Sequence, residues 1–233
     1  MVTIDINKII AFYDEQDKSI SKHVSSITGV IGEDLGAGLL KHYFDSINID
    51  CTIINDSPTE GSKKGKWLDR WLKVKNVDSD NLVFYQTEIK NWSSHSIGGK
   101  KIELDAGEQD LKRYANARFS EQWNGKDITL KNDNVAKVLK QMKKHIKINS
   151  NDTIKPLICF WYPISNRADI GNIEALFEVP CNSPTFNKVT FFSMSLYLRK
   201  LSKEGNTSIK IEAPNIEKRV ALIHKLLTLT YSV

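Results

Sequence analysis

Two carboxylates and a lysine are spaced in this sequence so that one β-hairpin brings them together. Asp69 lies in one strand-like segment, and Glu88 and Lys90 lie in the next. The turn-forming run 76–81 separates the two segments. If the hairpin loop is centred on the middle of that run, residues whose numbers add to 157 face each other. Asp69 then faces Glu88, with Cβ atoms ~5 Å apart, and Lys90 projects from the same face as Glu88.

The chemistry that these groups predict is metal-assisted phosphodiester hydrolysis. Two ionised carboxylates at that distance repel each other unless a cation lies between them. Oxygen ligands suit Mg²⁺ or Mn²⁺, and such an ion polarises a phosphoryl oxygen and lowers the pKa of a bound water. A neighbouring lysine can orient that water and offset negative charge on the phosphate. The alternative is a salt-bridged pair on the solvated face of a hairpin.

A third carboxylate, Glu33, falls on an apolar stripe of a predicted helix. Its companions at helical spacing are Val30, Ala37, Leu40 and Phe44. The glycines around it are Gly29, Gly32, Gly36 and Gly38. Each glycine costs a helix ~1 kcal/mol relative to alanine, and a close approach of the helix to a sheet would explain them. A carboxylate on such an inner face favours a functional role. The alternative is an edge glutamate whose carboxylate reaches solvent.

The elements that must position these residues follow from periodicity and turn signals. The predicted helices are about 5–14, 19–46, 103–123, 135–148, 193–203 and 214–228. The predicted strands are about 50–55, 66–75, 82–92, 157–162 and 188–192. The wholly apolar run 157–162 is typical of a buried central strand. The order of elements predicts an α/β domain built on a mixed central sheet with flanking helices.

Composition excludes several classes of protein. The chain has 233 residues, 26% of them charged and 40% hydrophobic, which is typical of a soluble globular protein with one sizeable core. No apolar run approaches the ~20 residues of a membrane span, and charged residues interrupt the N-terminal segment, so neither a membrane protein nor a secretory signal is expected. Three cysteines without CxxC spacing favour a reduced, cytoplasmic setting. The net charge of +5 is compatible with nucleic-acid binding.

The acidic residues and the lysine together resemble the PD-(D/E)XK, or restriction-endonuclease-like, nuclease superfamily. The matching features are a helix with a Gly-Glu pair ending at Glu33, then Asp69, then Glu88-x-Lys90. The α-β-β-β-α-β order across about residues 18–163 resembles the core of that superfamily. One departure is that Asp69 follows Leu68 rather than proline.

The resemblance implies a role for each residue. Asp69 and Glu88 would hold Mg²⁺ or Mn²⁺ with the backbone carbonyl of Ile89. Glu33 would support a second metal or its waters. Lys90 would act on the attacking water.

Two further groups are expected to contact DNA. Lys63, Lys64, Lys100 and Lys101 lie in predicted loops at the two ends of the acid-bearing strands. Gln109, with Tyr114, lies on the predicted helix after them and loosely resembles a helix of the RecB-like branch. Gln109 could equally be a surface residue.

The function expected is a divalent-metal-dependent DNA endonuclease of restriction or anti-phage defence type, acting alone or with partner subunits. The alternatives are a structure-specific repair nuclease, similar to a Holliday-junction resolvase, and a catalytically silent module that binds DNA or protein. Residues 164–233 are predicted to cover the sheet or to form a homodimer. The apolar residues available for such an interface are Phe191, Phe192, Met194, Leu196, Tyr197, Leu201, Leu222, Leu226 and Leu227.

Overall fold

A computed structural model describes residues 1–14, 21–54, 70–75, 81–90, 151–160, 175–180, 186–213 and 215–230. Its helices are α1 (Ile6–Asp14), α2 (Ser21–Ser46), α3 (Met194–Lys203) and α4 (Ile216–Thr230). Its strands are β1 (Val2–Asp5), β2 (Cys51–Ile54), β3 (Arg70–Lys75), β4 (Leu82–Lys90), β5 (Thr153–Phe160), β6 (Leu176–Pro180), β7 (Lys188–Ser193) and β8 (Ser208–Ile211).

Six of these strands form one mixed sheet in the order β2-β3-β4-β5-β7-β6. Antiparallel pairing joins β2, β3 and β4, and also β6 with β7. The central strands β4, β5 and β7 are parallel, so their carboxyl ends lie at one edge of the sheet. Leu157, Ile158 and Cys159 of β5 are fully buried, which confirms the expected central strand. The predicted α/β class, with a mixed sheet and flanking helices, is confirmed.

Local signals account for where several helices begin. Asp5 caps α1, because its carboxylate accepts the backbone N–H of Lys8 at 3.0 Å. Ser193 caps α3 in the same way and accepts from the N–H of Leu196. The predicted helices 103–123 and 135–148 lie outside the described residues.

Close packing places α2 on one face of the sheet. A Cβ atom on Gly36 would lie 2.7 Å from Cγ2 of Ile89 in β4 and 3.2 Å from Sγ of Cys159 in β5. A Cβ atom on Gly38 would lie 2.9 Å from the backbone oxygen of Glu212. The prediction that these glycines let the helix approach the sheet is therefore confirmed at Gly36. At Gly38 the close partner is instead the backbone just after β8.

Three strands escaped the sequence analysis. Two of them, β1 and β8, have only four residues each and pair with each other in a separate antiparallel ribbon. The third, β6, has five residues and ends at a proline. Segments this short carry almost no periodic signal, so these strands are identified by their pairing with other strands and not by their sequence pattern.

The apolar run of the C-terminal region belongs to the core of its own chain. Phe191, Phe192, Met194, Leu196, Tyr197 and Leu201 are all buried. The expectation that this run supplies a dimer interface is therefore wrong, because its surface is already used inside the protein. Of the leucines on α4, Leu222 is exposed. Among the described helices, none combines the length and the apolar character needed to cross a membrane.

Candidate active site

The β3–β4 hairpin has the predicted register. Its paired residues add to 157 along the whole described ladder, from Arg70 with Thr87 to Lys75 with Leu82. A slip of one residue would move every side chain to the other face of the sheet. The register is thus confirmed. Asp69 precedes the ladder and lies outside the described residues, so its position opposite Glu88 stays a prediction.

Glu88 is a buried carboxylate on a central strand. Its relative exposure is only 6%, and the preceding Gln86 and Thr87 are fully buried. On the neighbouring strand β5, the residue paired with Glu88 is the fully buried Ile158. The alternative of a solvated hairpin face requires an exposed carboxylate, and this burial contradicts it. Removing a carboxylate from water is costly unless a cation or hydrogen bonds compensate.

Lys90 is the last residue of β4, and its backbone pairs with Phe160 at the end of β5. Ile89 packs beneath α2, so its neighbour Glu88 lies on the face of the sheet away from α2. The Glu-x-Lys segment therefore stands at the carboxyl edge of the parallel strands. That the side chain of Lys90 shares the face of Glu88 stays a prediction.

Glu33 lies at the same end of β4. The helix α2 runs antiparallel to β4, because Phe44 stacks near Tyr85 with ring centroids 5.8 Å apart while Gly36 meets Ile89. Glu33 is three residues before Gly36, or about 4.5 Å further along the helix axis. One strand residue advances about 3.3 Å, so Glu33 is level with the last residue of β4. Because α2 covers the opposite face from Glu88, Glu33 would have to reach the other acids around the strand end.

A buried ion pair beside Glu33 was missed from the sequence. Arg219 of α4 places Nη1 at 3.4 Å from Oδ2 of Asp34 and Nη2 at 3.8 Å from Oε2 of Glu33. Only 2% of the Asp34 side chain is exposed. The sequence did contain a signal for this burial. The residues three and four positions before and after Asp34 are all apolar: Val30, Ile31, Ala37 and Gly38.

The remaining predicted site residues lie outside the described part of the chain. They are Lys63, Lys64, Lys100, Lys101 and Gln109. Within the described ranges, no three His, Cys, Asp or Glu side chains come together as a ready metal site. The predicted ligand set includes Asp69, which those ranges do not contain. The donors that are described, the Glu88 carboxylate and the Ile89 carbonyl, are hard oxygen ligands of the kind that Mg²⁺ and Mn²⁺ prefer.

Comparisons of the chain with protein-family models, with curated proteins and with solved structures found no match. The functional interpretation therefore depends on the residues and their geometry.

Proposed function

We propose that this protein is a divalent-metal-dependent nuclease that hydrolyses phosphodiester bonds in DNA. The observation that carries the proposal is the burial of Glu88 on a central strand. The described register of the β3–β4 hairpin, if continued by one residue, would bring Asp69 opposite Glu88. The described elements α2, β2, β3, β4 and β5 are compatible with the α-β-β-β-α-β order expected of a restriction-endonuclease-like core, whose second helix is predicted outside the described residues. We therefore propose that core as the fold around the site.

Each residue has a distinct role in the proposed reaction. Glu88, Asp69 and the Ile89 carbonyl would hold Mg²⁺ or Mn²⁺. Such an ion would supply Lewis-acid activation of the phosphodiester and of water. Lys90 would orient the attacking water and offset negative charge that develops on the phosphate. Glu33 would support a second ion or its waters.

Burial of Glu88 favours an enzyme over a silent binding module. A buried carboxylate lowers stability relative to a well-packed apolar residue of similar size. A buried acid of this kind is typical of sites where function opposes stability.

A cleavage assay tests the proposed function. The protein is incubated with plasmid, linear duplex, single-stranded and four-way-junction DNA, and with RNA, in Mg²⁺, Mn²⁺ or EDTA. We expect cleavage of DNA that needs the metal and stops in EDTA. Linearised plasmid would support a restriction or defence nuclease, whereas preference for the junction would support the repair alternative. Binding without cleavage in every metal would contradict an enzyme and support the silent module.

One set of site residues addresses one phosphate, so double-strand cleavage needs two chains or two successive visits. We propose a homodimer for concerted double-strand breaks, since two-fold assemblies are the commonest and match duplex DNA.

A further inference from the structure

Arg219 connects the C-terminal helix to the part of α2 that carries Glu33. One guanidinium contacts two adjacent carboxylates, Asp34 at 3.4 Å and Glu33 at 3.8 Å. The side chains differ in burial: Asp34 is 2% exposed, Glu33 is 34% exposed and Arg219 is 30% exposed. The cluster thus has one buried member and two that reach the surface.

The buried member can fix the orientation of the other two. A carboxylate as deeply buried as Asp34 needs a compensating partner, and its contact to Nη1 restrains the guanidinium. A guanidinium is planar and carries its donors in a rigid fork. With Nη1 at 3.4 Å from Oδ2 of Asp34, Nη2 lies at 3.8 Å from Oε2 of Glu33, so one guanidinium is close enough to attract both carboxylates.

Glu33 is partly exposed, with 34% of its side chain accessible to solvent. A glutamate side chain loses up to ~2 kcal/mol of conformational entropy when it is ordered. The proposed role requires Glu33 to present its carboxylate around the end of β4. A cation fixed beside Glu33 would order this side chain before a ligand binds, so less conformational entropy would be lost on binding.

The helix α4 contacts both the core and α2. Ile216 is buried and Val220 packs against the core. The contacts of Arg219 with Asp34 and Glu33 join α4 to α2.

We propose that Arg219 is a positioning residue that holds Glu33 for the proposed metal site, so that α4 completes the site instead of merely covering the sheet. This inference rests on the proposed function. It gives the C-terminal region a role that neither sheet covering nor dimerisation describes.

The test is the Mg²⁺ dependence of cleavage at saturating DNA in Arg219→Lys. This change keeps the charge but removes the fork, so any effect reports orientation and not electrostatic attraction. We expect the Mg²⁺ concentration for half-maximal rate to rise about tenfold, as is typical when an outer partner of a metal ligand is removed. DNA affinity in Ca²⁺ should not change. The matched control is Lys218→Arg, the neighbouring exposed position on α4, which should behave as the wild type.

A second variant guards against loss of folding. In Asp34→Asn/Arg219→Gln both charges of this ion pair are removed together, which avoids leaving either one without the other, and Glu33 still loses its contact. The same rise in the Mg²⁺ midpoint is expected, with a cooperative thermal transition. A merely structural role would lower the active fraction without moving that midpoint.

The outcomes separate the two proposals. A wild-type protein that cleaves, with an unchanged or lower Mg²⁺ midpoint in both variants, overturns the role of Arg219 alone. A wild-type protein that neither cleaves DNA nor binds Mn²⁺ overturns the proposed function, and this inference with it.

Discussion

Gly36 of α2 and Ile89 of β4 pack so closely that no side chain fits between them, since a Cβ atom on Gly36 would lie 2.7 Å from Cγ2 of Ile89. Ile89 is the residue between Glu88 and Lys90. The contact with α2 therefore holds the middle of the Glu-x-Lys segment and sets the face of the sheet on which Glu88 lies. It also sets how far along β4 the helix places Glu33.

Gly36→Ala should destabilise the protein. Overpacking costs typically about 1–3 kcal/mol, and the gain of ~1 kcal/mol in helix propensity offsets only part of it. Denaturant-induced unfolding should show a lower midpoint with an unchanged slope.

The control for this effect is Ile89→Ala in the Gly36→Ala background. Because truncation of Ile89 makes room for the new methyl group, the double variant should lose less stability than the two single changes added together. Strict additivity would show that the clash between these two residues is not the cause.

Glu88→Gln should abolish cleavage and preserve the fold. The substitution keeps the shape of a buried side chain but removes the charge that the proposed metal requires, so the rate should fall at least about 10²-fold. Asp69→Asn should have the same effect. Cleavage rates and thermal melting are measured together.

Glu178→Gln is the matched control, because Glu178 is a strand carboxylate in an ion pair with Lys155 at 2.7 Å and with Lys188 at 3.4 Å. The Lys155 hydrogen bond holds the pKa of Glu178 below its ordinary value, so this carboxylate serves the sheet surface. Its variant should cleave normally. Normal cleavage by Glu88→Gln would remove Glu88 from the site.

Lys90→Ala should reduce turnover far more than DNA affinity, since its proposed contact forms in the transition state. Single-turnover rates at saturating DNA are compared with affinities measured in Ca²⁺. Lys73→Ala is the control, because Lys73 is an exposed residue of β3. It pairs with Phe84, so it lies on the same face of the sheet as Glu88. Weaker binding with an unchanged rate for the bound complex would make Lys90 a phosphate contact only.

DNA affinity should fall steeply with salt, and four lysines should account for part of the dependence. The variant replaces Lys63, Lys64, Lys100 and Lys101 with alanine. Each lost phosphate contact should lower the slope of log K against log salt by about 0.9. The control removes four exposed lysines elsewhere: Lys8, Lys188, Lys203 and Lys210. Equal slopes in the two variants would show that only net charge matters.

His42 should make stability depend on pH. Its Nδ1 lies 2.6 Å from the hydroxyl of Tyr197, and burial lowers its pKa from the ordinary value of 6.5, against the opposing charge of Asp45. The unfolded chain therefore binds the proton more readily, so the contribution of His42 is present above pH 6.5 and is lost as the pH falls through the lowered pKa.

The free energy of unfolding, measured by denaturant at pH 7.5 and 5, should consequently fall less in His42→Gln than in the wild type. His224→Gln, at an exposed position on α4, should keep the wild-type difference. An identical pH difference in all three proteins would contradict the shift.

The sequence by itself determined the features that depend on local signals. Turn formers at 76–81 predicted the hairpin register because a symmetric loop leaves only one alignment for each strand. The apolar periodicity predicted a first helix at about 5–14, and the carboxylate of Asp5 caps it, because a helix leaves its first N–H groups without partners. The glycines of α2 indicated a close approach, since each one costs helix stability that packing must return.

Only the tertiary structure decided which surfaces meet. The burial of Glu88 depends on both neighbouring strands and on what covers the face of the sheet away from α2. The meeting of Asp34 with Arg219 joins the two ends of the chain, as does the pairing of β1 with β8. The same holds for the apolar run of α3, whose pattern suits an interface and a core equally well. Periodicity shows that one face of a helix or strand is apolar, but it does not show which element packs against that face. The packing partner depends on contacts between residues far apart in sequence.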